Sequence, residues 1–467
     1  EFFPTSTRPE VLLELKLPEG SSMEATQEVS DRMSAWLQDH QDLLANYSCY
    51  VGQYAPRFVL TVNPKTDADN AAQFVIVTKD TASREKLATA LNEAFADEFA
   101  DVRAKIQYIQ TGPPADYPVM LRVSGYTTEQ TKALAKQVSD IVSADPNNYN
   151  VSTTWGDKSK TLHLELDQDK LRSLGLSSQD VSQMIYTEVT GATAAQFYAG
   201  DRTIDIDLRM AAKDRKDLSK IKNLPIYLGS AGYVPLEQIA KISYDAEDGY
   251  IERRNLMPMI TVEADIHSGT ANDATQKAYN ATQELRDNLP FGCKIEPAGA
   301  LEDSNNSVGY LLKPIPAMIV IIMTLLMFQL NSAKSMLLTL LTAPLGLIGV
   351  SWGMLITDSA MGFVAELGIL ALFGMIIRNS VILIDQIHKH LEEGETPWEA
   401  VIDSAILRFR PIMLTAAAAI LGMLPLMANT FWGPMAVAIA SGLLVATVLT
   451  LLVLPTMYAV AYHVEKE

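Results

Sequence analysis

The last third of the chain, from about 306 to 467, is built of Leu, Ile, Val, Ala, Met and Gly in runs long enough to cross a bilayer. Five runs can be read, at about 308–330, 336–357, 362–387, 410–428 and 433–461, each near the ~20 residues that a spanning helix needs. An odd number of spans places the two ends of the chain on opposite sides of the membrane.

Within the third run, the segment Gly374-Met-Ile-Ile-Arg378-Asn-Ser-Val-Ile-Leu-Ile-Asp385 carries one cation and one carboxylate in an otherwise apolar stretch. An ionised group at mid-membrane costs roughly 2.5–3.5 kcal/mol even on lenient insertion scales, so such residues mark a pathway or a proton relay. Seven residues at 100° each return Asp385 to within about 20° of Arg378, about 10 Å further along the axis. The two charges therefore share a face. Arginine keeps its proton, so Arg378 cannot carry one, but it can hold a partner carboxylate ionised. Glu366, about 120° away and near the outer end of the helix, is a secondary candidate. Glycines 346, 349 and 353, the Ala416–Ala419 run, Gly422, Gly433, Ala440 and Gly442 are read as close helix packing.

Basic residues orient the bundle. Lys334, His388, Lys389, His390, Arg408, Arg410 and Lys466 gather at one end, whereas the 357–361 and 428–434 turns contain no Lys or Arg. The C-terminus is expected in the cytoplasm and the 300-residue first part outside. Nothing in the chain exports that part, so an upstream membrane segment is expected to be lost or to belong to another chain. The formal charge of −18 comes mostly from the first part and argues against nucleic acid. Cys49 and Cys293 are too few for a disulfide framework or a zinc site.

The first part alternates strictly in Leu13–Leu17, Val119–Val123, Leu162–Leu166, Ile204–Leu208 and Ile260–Ala264, predicting half-buried strands with one wet face. His163 falls on such a face. Capping boxes at Ser21-x-x-Glu24, Thr127-x-x-Gln130 and Ser177-x-x-Asp180 open amphipathic helices. Residues 9–113 give strand, helix, two strands (47–52, then 57–63 or 73–78), helix and strand, a ferredoxin-like split βαβ sandwich. The breaker Thr111-Gly-Pro-Pro114 ends it. A second such unit starts at 117–155 and resumes at 258–298, with a subdomain of about 161–250 inserted. Tyr47, Tyr50, Tyr54 and Phe58 surround an irregular loop that could form an apolar cleft. Met120, Met257 and Met259 are read as core filler.

Phe3-Pro4, Leu17-Pro-Glu-Gly20, Ala343-Pro-Leu-Gly-Leu-Ile-Gly349, Gly374–Asp385 and Arg408-Phe-Arg-Pro-Ile-Met-Leu-Thr415, set in this order of domains, resemble the C-terminal half of a resistance-nodulation-division exporter of the hydrophobe and amphiphile branch. The resemblance covers essentially the whole chain. It implies an α+β membrane protein: ferredoxin-like periplasmic porter subdomains (1–113, and 114–160 with 255–305), a docking subdomain (161–254) and a five-helix transmembrane bundle (306–467). It also implies that Arg378 replaces a relay lysine, that Thr415 is the relay threonine, Arg408 a nearby functional arginine and Asp385 a family carboxylate. The paired aspartates of that relay lie in an N-terminal half that this chain lacks. Tyr50, Tyr54 and Phe58 would border the substrate cleft, although the 50–58 loop is shorter than the family's.

The expected function is proton-driven efflux of amphiphilic drugs, with the proton gradient and no cofactor. It would be carried out in the bacterial inner membrane by a homotrimer joined to its N-terminal half, a periplasmic adaptor and an outer-membrane channel. Two alternatives stand beside it. A heavy-metal cation exporter would require a Met or carboxylate cluster in the porter cleft, and a non-transporting scaffold would require a companion half without an aspartate pair. An enzyme is not expected, since the sequence has no His-Glu-x-x-His, Gly-x-Ser-x-Gly or phosphate-binding glycine loop.

Overall fold

The computed structural model describes residues 6–465 except 113–114, 157, 216 and 360. Phe3-Pro4, Pro113-Pro114, Ala360 and Lys466, which figured in the sequence reading, lie outside the described residues.

The first sheet forms from strands β1 (Glu10–Lys16), β2 (Leu44–Val51), β3 (Ala71–Thr78) and β4 (Arg103–Tyr108), with helices α1 (Met23–Asp39) and α2 (Thr81–Asp97) between them. The order is β2-β3-β1-β4, antiparallel throughout, which is the arrangement of a ferredoxin-like sandwich. Ser22 and Asp80 cap the two helices by accepting from the backbone N–H groups of Ala25 and Ser83. Of the two segments offered as the third strand, 71–78 pairs, and 57–63 is irregular. Leu13, Leu15, Phe74 and Ile76 meet Met33, Leu37, Leu87 and Leu91 in a core closed to solvent.

The second sheet repeats this order across a long interruption. It contains β5 (Val119–Ser124), α3 (Thr128–Ser143) and β6 (Asn148–Thr153) before the insertion. Between Gly156 and Tyr250 lies a separate compact unit. It contains β7 (Lys158–Leu166), α4 (Ser178–Val189), β8 (Ala192–Ala199), β9 (Arg202–Leu208) and β10 (Ala240–Asp248). β7 pairs with β10, and β8 with β9. This unit has its own core, with Leu171, Val181, Leu224, Ile226 and Leu236 buried. After it, β11 (Met257–Ile266), α5 (Ala271–Ala281) and β12 (Lys294–Pro297) complete the second sheet, in which β12, β5, β11 and β6 lie side by side.

The Ile204–Leu208 strand departs from expectation. β8 and β9 make a hairpin exposed on both faces, so Ile204, Ile206 and Leu208 stay half or more uncovered despite their alternation. Alternation reports which residues share a face; it does not guarantee that a face finds a partner.

Among the described residues the bundle consists of α6 (Ala300–Leu330), α7 (Ala333–Ile356), α8 (Phe363–Glu392), α9 (Pro397–Met427) and α10 (Gly433–Tyr462), five helices long and apolar enough to cross a membrane. α7 and α10 approach closely because glycines line the seam. A Cβ added at Gly349 would collide with the Ser441 carbonyl oxygen and lie 2.9 Å from Gly442 Cα. Backbone cannot move aside as a flexible side chain does, so Gly349→Leu is expected to destabilise the bundle by about 1–3 kcal/mol or more. Thermal unfolding of the purified protein in detergent would test this; an unchanged midpoint would mean that the seam is looser than the structure shows.

Candidate functional site

The alternation that buries Leu13 and Leu15 against the helices turns Glu14 and Lys16 to the other side of the first sheet. On the neighbouring strand, Arg103 and Lys105 do the same, and the register places Lys105 opposite Glu14 and Arg103 opposite Lys16. The Lys105–Glu14 pair is attractive across the antiparallel ladder, whereas Arg103 and Lys16 are like charges that repel, each offset by its own carboxylate: Glu263 for Arg103 and Glu19, at 2.9 Å, for Lys16. In the second sheet, Val262 and Ala264 are fully buried toward the helices, which turns Glu263 to the opposite face. The two charged faces border one cleft of about 740 Å³, closed at its sides by Tyr54, Lys65, Asp67, Asp116, Tyr117 and Tyr250.

Ion pairs organise the walls. Lys65 pairs with Glu14, which also accepts from the Tyr54 hydroxyl at 3.1 Å. Lys105 Nζ lies 3.1 Å from Asp116 Oδ1, and Arg103 Nη2 lies 3.7 Å from Glu263 Oε2. Arg103 donates to the Tyr117 hydroxyl at 3.2 Å and also to the Ser152 hydroxyl. Burial pushes Glu263 up to about 7, against the opposing pull of Lys105 and Arg103. Asp116 is held below the usual carboxylate range, because Lys105 and Lys65 together outweigh its burial. Burial, reinforced by the neighbouring Lys65, lowers Lys105. Among the described residues the cleft has six carboxylates and four bases, an acidic excess of two.

The aromatic candidates divide. Tyr54 lines this cleft, while Tyr50 and the half-exposed Phe58 are not among its walls. The cleft is therefore lined largely by charged side chains, where an apolar one was expected.

In the bundle, Val364, Gly368, Leu372, Ile376, Asn379, Leu383 and Ile387 form the buried face of α8. Ala371, Gly374, Arg378, Ile382, Asp385 and Lys389 form an exposed stripe on the opposite face. Arg378 and Asp385 thus share a face without an ion pair between them, and Arg378 makes no hydrogen bond with any described residue. Gln329 Nε2 approaches Asp385 Oδ1 at 3.5 Å. Arg408 instead holds the buried Gln386, donating from Nε at 3.0 Å and Nη2 at 2.7 Å. Thr415 is exposed on α9 and donates to the Ile412 carbonyl. Glu366 lies half-buried in the first turn of α8.

Sequence reading missed Gln329, whose signal was a lone amide in an apolar run, and Gln386, which adjoins Asp385. It also missed a hydroxyl cluster in which Tyr462 bonds Ser332 and Ser335 at 2.8 and 2.9 Å, and Ser335 lies 3.3 Å from His388 Nε2.

The model of the AcrB/AcrD/AcrF family matches residues 1–462. The chain belongs to that family. Its relatives include the nickel and cobalt resistance protein CnrA of Cupriavidus metallidurans, 28% identical over 350 residues, which are 73% of this chain and 32% of the relative. Another is the nickel-cobalt-cadmium resistance protein NccA of Alcaligenes xylosoxydans xylosoxydans, 26% identical over 82% of this chain and 36% of the relative. The crystal structure of a heavy metal efflux pump superposes on 98% of this chain and 48% of that one, with a TM-score of 0.80 at 20% identity, and so shares the fold. The chain spans about a third of the length of the curated relatives it matches.

These relatives confirm the resemblance to resistance-nodulation-division transporters and correct its branch. Assignment to multidrug and amphiphile efflux is overturned, because these relatives, with the cobalt-zinc-cadmium resistance protein CzcA of Cupriavidus metallidurans at 27% identity over 75% of this chain and 34% of the relative, are named for resistance to metals. The physical reason accords with the structure: the cleft between the two sandwiches is walled by carboxylates and lysines, which suit a hydrated ion better than a greasy molecule.

Proposed function

We propose that this chain forms the porter and membrane part of a proton-driven exporter of divalent transition-metal cations. The observation that carries this reading is the charged cleft, whose acidic excess and partly desolvated Glu263 and Asp116 offer oxygen ligands to a cation. A cation entering such a site would displace Lys105 and Lys65 from their carboxylates and release the proton from Glu263.

Energy would come from the α8 face. Arg378 would hold an ionised carboxylate supplied by the portion of the transporter that the relatives contain beyond this chain's span, with Asp385, Thr415 and Arg408 assisting and Glu366 secondary. Protonation of that carboxylate would free Arg378 and change helix packing, opening or closing the cleft. One proton moving down 100 mV supplies roughly 2.3 kcal/mol. The outward placement of Arg378 supports this, since a charge in a bundle normally faces protein or water. The assembly would be a homotrimer in the inner membrane, with its porter domains in the periplasm, working with an adaptor and an outer-membrane channel. The exposed β8–β9 hairpin, with Tyr198 70% uncovered, offers a surface for subunit contact.

The test is growth of a metal-sensitive bacterium that expresses the chain with its companion portion, in graded nickel, cobalt, zinc and cadmium. Tolerance to at least one cation is expected, and Glu14→Gln combined with Asp116→Asn should reduce it at least tenfold. Identical sensitivity with and without the transporter would overturn the reading.

A further inference from the structure

The C-terminal end of α8 is built as a hook. The Gly394 N–H donates to the Leu391 carbonyl at 3.2 Å, and the Glu395 N–H to the His390 carbonyl at 3.1 Å. Gly394 holds φ at +93°, a conformation that disfavours other residues. The chain turns back on itself, and Glu395 Oε1 comes to lie 2.6 Å from His390 Nδ1.

This contact does not satisfy the imidazole. The Nδ1–Oε1 contact is an ion pair when the imidazole is protonated, but Nε2 of His390 and Oε2 of Glu395, both shut off from solvent, have no hydrogen-bond partner among the described residues. The His390 side chain is only 13% exposed. Buried polar atoms without partners are rare enough to require a reason, and an absent ligand is one. Glu393, one turn after Lys389, completes a set in which one ligand atom each from His390, Glu393 and Glu395 lies within 4.8 Å of the others. Glu393 is more than half exposed, so the set is open to solvent, and its contact with Lys389 at 4.0 Å is a weak competitor.

We propose that His390, Glu393 and Glu395 bind a divalent first-row transition-metal ion, of the zinc, cobalt or nickel class, at the basic end of the bundle. The donors decide the class. One imidazole with two carboxylates suits these ions, whereas calcium and magnesium favour oxygen alone and copper(I) favours sulfur. Bond lengths of about 2.0–2.2 Å bring ligand atoms to within about 3.5 Å of each other. Glu393 reaches that separation by turning its exposed side chain inward. Water fills the remaining position. The site shares no residue with the cleft and sits on the helix that carries Arg378 and Asp385, so an ion here would fix the end of that helix. It binds metal whether or not the chain exports metal.

The test uses the full chain, purified in detergent and stripped of metal, with zinc and cobalt as probes. Equilibrium dialysis should show one fewer bound equivalent for His390→Gln and for Glu395→Gln, and binding at least tenfold weaker for Glu393→Gln. The visible absorption of bound cobalt should lose its imidazole-dependent component in the His390 variant. Glu395→Gln, a near-isosteric change on a partly exposed side chain, keeps the test decisive if the His390 variant does not fold. The cleft variant Glu14→Gln with Asp116→Asn, titrated alongside, should keep the equivalent owed to His390 regardless of the fate of the cargo reading. Unchanged stoichiometry and affinity in the Glu395 or His390 variant would overturn the proposal.

Discussion

Arg378→Ala is expected to abolish cation tolerance in the assembled transporter while leaving the chain folded, and Arg378→Lys is expected to retain a substantial part of it. The expectation rests on position and on the chemistry of arginine. The buried face of α8 contributes to the helix packing of the bundle, and Arg378 lies on the opposite stripe with Gly374 and Asp385. Truncating it removes no hydrogen bond to any described residue, so helix content and thermal midpoint should hold. What it removes is a fixed positive charge within a membrane span. Any carboxylate held ionised beside that charge would then take up a proton and keep it, since desolvation disfavours its charged form. Coupling would stop with the carboxylate locked neutral. Lysine restores a cation of similar reach without the planar fork. Proton influx on addition of metal, measured in proteoliposomes that contain the assembled pump, is the direct readout. Wild-type flux from the alanine variant would remove Arg378 from the relay.

Much of this architecture was legible because the physics behind it is local. Five apolar runs, the capping residues Thr127 and Ser177 and the alternation of Leu13–Leu17 each report a neighbourhood of a few residues, whereas the expected cap Ser21 gives way to Ser22, its own hydroxyl donating to the Pro18 carbonyl. The same alternation announced Glu14 and Lys16 as a polar face, yet it could not say that this face looks at Glu263, some 250 positions along the chain. That juxtaposition depends on two sandwiches meeting. The inclination toward amphiphiles came from family motifs, three of the five in the membrane half, and those three carry no information about the residues that wall the cleft. The aromatic loop was less legible for a related reason: Phe58 is placed by irregular chain, which alternation does not govern. His388, Lys389 and His390 were legible only as charge, because the hook that brings Glu395 back onto His390 depends on the backbone at Gly394.

Glu263→Gln should produce the second large effect, and its sign depends on pH. Burial raises the folded-state pKa of Glu263 from 4.5 to about 7. Between those values the folded protein binds a proton that the unfolded chain has released. The contribution of Glu263 is therefore most favourable below about pH 4.5 and is lost as pH rises toward 7. Above 7 the penalty levels off at about 3 kcal/mol, from 1.36 kcal/mol per pKa unit. Glutamine bears no charge at any pH, so the variant should be more stable than the wild type at pH 8, and the difference should vanish near pH 4. Denaturant midpoints at the two pH values measure this. Cation binding should move in the opposite sense. A cation that needs ionised Glu263 competes with its proton, so wild-type affinity should climb with pH up to about 7 and then flatten. Asp116, held ionised by Lys105 and Lys65, adds no step in that range. In the glutamine variant the climb should disappear, leaving weaker binding that is nearly constant from pH 5 to 8. If the slope survives, another group carries the proton. If it disappears, the cleft itself releases its cation as protons arrive, and acidification of the compartment it opens to would help to unload the cargo.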